Sequence, residues 1–204
     1  HSEHLMLLDR ARGADLSGQL VGVYRMMTRS GAEDAGGFYT ALEFDLAPLL
    51  HTGRHIMELG RSCLRKPYRG GAAMFYLWQA LAQHVTHQDV EILFGTASFT
   101  GTDLAALEVP LSLLCREHLA QAALRPKAIG VGAVPLGSSG DFEIDRLPAL
   151  RAMPALIKAY LRLGGCVGEG AYVDAAFNTV DVCMVLDVPA MNPRQKAIYL
   201  KGPG

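Results

Sequence analysis

A strand that runs into a glycine-rich turn and straight on into a long amphipathic helix can be folded in few ways, and this chain contains one. Residues 54–64 alternate apolar and polar types and end in Ser62-Cys63-Leu64. Pro67 and Gly70-Gly71 break the chain, and residues 72–84 then carry Met74, Leu77, Trp78 and Leu81 on one helical face. Such a unit places a central strand inside a sheet and lays the helix across one face of it. The strand also holds Glu58-Leu59-Gly60-Arg61-Ser62-Cys63, a carboxylate and a guanidinium three residues apart.

The remaining segments extend the same pattern. Residues 20–27 read as a buried strand, and Gly36-Gly37 opens an extended segment over 38–44 followed by a short helical turn to 50. Residues 90–99 predict a strand, and Asp103 is a suitable N-cap for a helix reaching about residue 123. Residues 125–146, with Pro126, Pro135 and Gly-Ser-Ser-Gly, read as a loop. A helix over 147–163 stops at Gly164-Gly165, and 166–174 with 178–187 form a terminal hairpin. The expectation is a single α/β domain spanning 1–204, with a mixed central sheet flanked by helices and with 1–19 and 188–204 peripheral.

Composition narrows the function. Half the residues are hydrophobic and 19% are charged, so a chain of 204 residues can bury about 70% of its unfolded surface and is not disordered. A net charge of −1 argues against a nucleic-acid binder, which needs a basic face. No apolar run reaches the roughly 18 residues of a spanning helix. The four cysteines lie far apart without a C-x-x-C pair and read as free thiols of a cytoplasmic protein. His84 and His87 have no evident third ligand, so no metal is expected.

The chemistry suggested is acyl transfer. An amine nucleophile is mostly protonated near pH 7, so forming an amide from a thioester calls for a nearby base, and a partly buried Glu58 is a natural one. The plainer reading of Glu58 is an exposed strand carboxylate paired with Arg61. Arg61 can orient that carboxylate or hold the carboxylate of an amino-acid substrate in a bidentate pair. Arg69-Gly70-Gly71 at the helix start can present N–H groups to a donor phosphate. Ala72 follows it, but Met74 is bulky for close approach of a pyrophosphate, which weakens a coenzyme A reading and leaves room for the single phosphodiester of a pantetheine arm. Met74, Phe75 and Trp78 are candidates for an acyl pocket, although such a stripe is commonly plain core. Ser98 is not a nucleophile elbow, because its flanking glycines lie at ±3. Two basic groups, Arg65 with Lys66 and Arg69, and Arg151 with Lys158 and Arg162, could dock an acidic carrier protein.

Several strings together resemble the bacterial ornithine N-acyltransferases of ornithine-lipid synthesis, often labelled hemolysin-like, within the Gcn5-related acyltransferase superfamily. They are Val21-Gly22-Val23-Tyr24-Arg25, Gly37-Phe38-Tyr39, Glu58-Leu59-Gly60-Arg61-Ser62-Cys63, Gly95-Thr96-Ala97-Ser98-Phe99-Thr100-Gly101 and Asp174-Ala175-Ala176-Phe177-Asn178-Thr179-Val180-Asp181-Val182. The resemblance implies a fold like that of the acyl-homoserine lactone synthases, whose E-x-x-R pair falls on Glu58 and Arg61. It implies transfer of a 3-hydroxyacyl chain from acyl carrier protein to the α-amino group of ornithine, giving lyso-ornithine lipid. The acyl-phosphopantetheine arm would be a co-substrate, with no metal or redox cofactor. Ser98 joins Arg69, Gly70 and Gly71 in donor binding, and the protein could associate peripherally with the inner membrane. Relatives carry an N-terminal strand and helical segment before the point where this chain starts, so a truncated fold is expected. The alternatives are acylation of another amino acid, an acyl-CoA donor, or an inactive carrier- or lipid-binding remnant.

Overall fold

The structure, a computed structural model, describes residues 1–137 and 144–200. Among the described residues, ten strands and eight α-helices follow one another along the chain. The strands are β1 Glu3–Leu8, β2 Leu20–Thr28, β3 Phe44–Asp45, β4 Ile56–Leu64, β5 Ile92–Thr100, β6 Lys127–Ala128, β7 Ala133–Val134, β8 Cys166–Val167, β9 Ala171–Asp174 and β10 Thr179–Asp187. The helices are α1 Leu16–Gln19, α2 Arg29–Ala35, α3 Ala47–Leu50, α4 Ala73–His87, α5 Leu104–Glu117, α6 Arg146–Ala152, α7 Ala155–Arg162 and α8 Pro193–Leu200.

The main sheet has the order β1-β2-β4-β5-β10-β9-β7, with β8 also pairing β10, and β3 pairs β6 separately. Only β4 and β5 are parallel within that order, because α4 carries the chain back over the sheet between them. The mixed sheet with flanking helices is the expected architecture. One apolar cluster joins Met57, Leu59, Leu77, Trp78, Leu81, Leu93 and Ile157. A smaller one on the opposite face holds Met27, Phe38, Phe44, Ile56, Phe94 and Val185. Strand alternation assigns the members: Met57 and Leu59 face one way, Ile56 and Glu58 the other.

Local details depart from the sequence expectation for identifiable reasons. Residues 38–44 are mostly not extended: Tyr39–Leu42 form a 3₁₀ turn, and only Phe44–Asp45 are strand. The helix expected over 147–163 is two, because Pro154 cannot continue the ladder and stands as the N-cap of α7. Pro110, in contrast, sits inside α5 without ending it. Residues 1–19 contribute β1, which pairs with β2 from Glu3 opposite Met26 to Leu8 opposite Leu20. Residues 127–134 hold two short strands within the expected loop, whose residues 138–143 lie outside the described residues. No helix among the described residues is long and apolar enough to cross a membrane.

Candidate active site

The site begins where two parallel strands stop pairing. β4 and β5 are joined only at Ile56–Ile92, Met57–Leu93 and Glu58–Phe94, though both strands run on for six more residues. At the fork, Gly95 comes so close to Leu59 that a Cβ would lie 2.1 Å from its carbonyl oxygen. Past the fork the backbone groups of β4 that face β5 have no ladder partner among the described residues, so this edge can pair with an extended ligand. A cleft of about 400 Å³ opens here, lined in part by Gly60, Arg61, Thr96, Ser98, Thr179 and Asp181.

Glu58 lies beneath the fork, 1% exposed. A carboxylate in an apolar face must be hydrogen-bonded to be tolerated, and this one is. Arg25 Nη2 donates to Oε2 at 3.1 Å, Tyr39 N donates to Oε2 at 3.3 Å, and Thr40 N donates to Oε1 at 2.6 Å. These bonds curl residues 39–42 into the 3₁₀ turn that replaced the expected strand. Arg25 reaches Glu58 across Gly60, where a Cβ would stand 2.9 Å from the guanidinium. The pairing of Glu58 with Arg61 is therefore corrected: the partner is Arg25, one strand away.

Arg61 turns elsewhere because the backbone does. Between Val23 opposite Cys63 and Arg25 opposite Gly60, β4 carries one residue more than β2. That bulge places Arg61 at φ 51°, left-handed for a side-chain-bearing residue. Its exposed guanidinium lies 5.1 Å from the Tyr39 ring, which Arg25 approaches at 5.3 Å from its own side. Strain at a cleft-lining residue is a mark of use. Arg61→Gly is expected to leave stability within about 1 kcal/mol, since glycine relieves the conformation while freeing the unfolded chain. The same change should raise the KM for an amino-acid acceptor at least tenfold, and thermal melts alongside steady-state kinetics would check both halves.

The donor candidates divide. Gly70 has φ 79°, and Gly70, Gly71 and Ala72 are exposed before α4, whose N-cap Ala72 makes no side-chain hydrogen bond. No side chain thus caps the first N–H groups of α4. Arg69 folds back, its Nε donating to the Leu64 carbonyl at 3.1 Å, and Arg65 donates to the Leu20 and Ser17 carbonyls. Ser98 is exposed on β5, where its hydroxyl bonds Asp181. Met74 packs against the core and does not face the turn. Of the three acyl-pocket candidates, Trp78 lines an apolar cavity of about 50 Å³ with Tyr160, Leu186 and Tyr199. Phe75 instead packs its ring on Tyr76 and Tyr199. The Tyr160 hydroxyl meets that of Tyr24 at 2.6 Å, tying α7 to β2. Burial pushes both phenols up from their ordinary range, Tyr160 furthest.

Three acids absent from the sequence expectation meet at the far side of the cleft. Oxygens of Glu43, Asp174 and Asp181 all lie within 4.8 Å of one another. Burial, with the charges of Asp181 and Asp174, pushes the Glu43 carboxyl up to about 7, and burial also raises Asp181. A carboxyl raised on folding destabilises the native state once it ionises. The effect is nil below the unfolded value near 4.5 and complete above 7. Glu43→Gln should therefore stabilise the protein at pH 8 by about 2 kcal/mol and do nothing at pH 4, as denaturant titrations at the two pH values would read. A sequence signal existed for two of the missed residues: Arg25 and Asp181 each stand alone among apolar strand neighbours, a placement that calls for a partner.

Comparison with known proteins agrees with this geometry. The acetyltransferase (GNAT) domain family matches residues 1–79. L-ornithine N(alpha)-acyltransferase of Rhodobacter capsulatus is 47% identical over 199 residues, 98% of this chain and 76% of that protein. The enzymes of the same name from Agrobacterium fabrum and Brucella abortus are 37% and 34% identical, over 97% of this chain and 68% and 71% of theirs. Identity at that level across nearly the whole length shows that the chain belongs to the L-ornithine N(alpha)-acyltransferase family of acyltransferases.

Proposed function

We propose that this protein moves a 3-hydroxyacyl chain from the thioester of acyl carrier protein to the α-amino group of ornithine, releasing lyso-ornithine lipid and the free thiol. The observation that carries the reading is the placement of Glu58 directly under the fork between β4 and β5. The pantetheine arm extends along the open edge of β4, its phosphate against the N–H groups that follow Gly70 and Gly71. A β4 backbone N–H in the fork stabilises the oxyanion that forms at the thioester carbon. The acyl tail is assigned to the side of α4 that carries Trp78.

The free acceptor amine forms its N–C bond first, the nitrogen gives up a proton, and the tetrahedral oxyanion then expels the pantetheine sulfur, which takes up that proton to leave as the thiol. Glu58 is covered by Arg25, Tyr39 and Thr40, so a bridging water relays that proton to it. Oε1 is the receiving atom, since it accepts one bond from Thr40 and a carboxylate oxygen can accept a second. Arg61 takes the acceptor carboxylate, and the Tyr39 ring keeps its guanidinium over the cleft. Thioester aminolysis balances in atoms and electrons without a redox or metal partner.

The basic residues Arg65, Lys66 and Arg69 beside the turn suit an acidic carrier, and an amphiphilic product suits peripheral membrane association. The test is product mass after incubation with 3-hydroxyacyl carrier protein or acyl-CoA and a panel of amino acids. N-acylornithine from the carrier-bound donor is expected. A different acceptor, or acyl-CoA alone as donor, would replace the reading with its nearest rival. Carrier binding without product would make the protein a binding remnant.

A further inference from the structure

We propose that Glu43, Asp174 and Asp181 form a receptor for the side-chain ammonium of the acceptor amino acid, and so select ornithine and direct acylation to its α-nitrogen. This rests on the acyl-transfer reading above. Three carboxylates within 4.8 Å repel one another when ionised, and a bound cation would relieve that repulsion. Glu43 and Asp181 are 5% and 6% exposed; Asp181 accepts from the Ser98 and Thr179 hydroxyls, yet its Oδ1 and Glu43 Oε2 have no hydrogen-bond partner. Buried acceptors left open are costly and rare in a finished fold. Among the described residues no lysine, arginine or histidine pairs with any of the three.

The cluster also opens onto the right space. Asp174 and Asp181 line the same cleft as Arg61, and Glu43 with Asp174 lines the adjoining one. Asp181 stands on β10 opposite Ser98 of β5, and Asp174 ends β9 opposite Thr179. Asp181 is thus one strand across from β5 and three residues past Gly95, and Asp174 one strand farther, so both lie along the open part of the fork and not at its apex. An acceptor held by its carboxylate at Arg61, with its α-nitrogen at the fork, extends a three-carbon side chain toward them. A tetrahedral ammonium with hydrogen bonds of about 2.8 Å spaces its acceptors about 4.6 Å apart. Oxygens within 4.8 Å of one another also admit a divalent metal, so the experiment includes metal ions.

The arrangement answers a chemical problem that ornithine poses, because either of its two primary amines can attack a thioester. Carboxylates around the δ-nitrogen favour its charged form, which has no lone pair to attack with. The α-nitrogen, at the fork, is free to lose its proton.

The test compares ornithine with norvaline, which has the same carbon chain and lacks the side-chain amine. Wild-type enzyme is expected to prefer ornithine by at least 100-fold in kcat/KM. Asp181→Asn combined with Glu43→Gln should cut that preference below tenfold, chiefly through KM, and yield Nδ-acylornithine detectable by tandem mass spectrometry. Asp174→Asn, at a less buried position, should move the ratio the same way. A wild-type enzyme that acylates norvaline as well as ornithine, or variants that keep the preference, would overturn the assignment while leaving acyl transfer intact. A melting temperature raised by Mg²⁺, Mn²⁺ or Ca²⁺ alone, lost in the variants with the preference unchanged, would give the cluster to a metal. Failure to acylate any amino acid sinks the parent reading instead. Calorimetric titration with ornithine and norvaline then decides the receptor without a donor: ornithine binding weakened at least tenfold in the double variant supports it, and equal binding in both proteins refutes it.

Discussion

Glu58→Gln is expected to lower turnover at least about 10²-fold, the scale on which a positioned proton acceptor acts. Glutamine keeps the shape and can still accept from Thr40 N, but it cannot take a proton from the acceptor amine. Its amide also offers a donor where Arg25 already donates at 3.1 Å, so some stability will be lost with activity. Removing one member of a buried ion pair costs on the order of 3–5 kcal/mol when nothing replaces it. The catalytic loss must therefore be read on folded protein. Circular dichroism at the assay temperature and an ornithine KM close to the parent's would show that the site survives. Turnover within threefold of the parent would remove Glu58 from the proton path and leave it as the anchor of Arg25 and the 39–42 turn.

Gly95→Ala is expected to be the most damaging single methyl addition near the site. Its Cβ would lie 2.1 Å from the Leu59 carbonyl oxygen, and backbone cannot yield as a flexible side-chain end can. β4 and β5 would have to diverge a residue sooner, which opens the apolar faces above and below the fork. Overpacking of this kind costs up to about 3 kcal/mol, or roughly 6–12 °C in melting temperature for a domain of this size. Scanning calorimetry gives the answer directly. A variant melting within about 2 °C of the parent would show that the close approach at the fork is not what holds the strands.

The same two positions show why some of this protein could be read in advance. Glu58 was a candidate from its residue type, its place on an alternating strand and the Gly-rich turn that follows. Those properties are local and survive in a linear string. Its partner was misassigned because a strand puts i and i+3 on opposite faces, and only the β2–β4 register shows that Arg25 comes opposite Gly60. The bulge that sends Arg61 toward Tyr39 has no motif of its own in Gly60-Arg61-Ser62, and is visible as one residue more on β4 than on β2. Phe38 to Phe44 has strand composition, yet backbone donors converging on one carboxylate hold it as a turn.

The order of strand and helix, the α/β class, the glycine-rich turn before the long helix and the family were all present in the linear chain, since propensity, period and punctuation act between near neighbours. The fork and the acid cluster were not. Glu43, Asp174 and Asp181 are brought together by β10 inserting beside β5 and by a turn drawn in by Glu58. Such contacts join β5 to a strand about 80–95 positions on and Glu43 to acids more than 130 positions away, and their free energy depends on contacts that exist only once the sheet has formed.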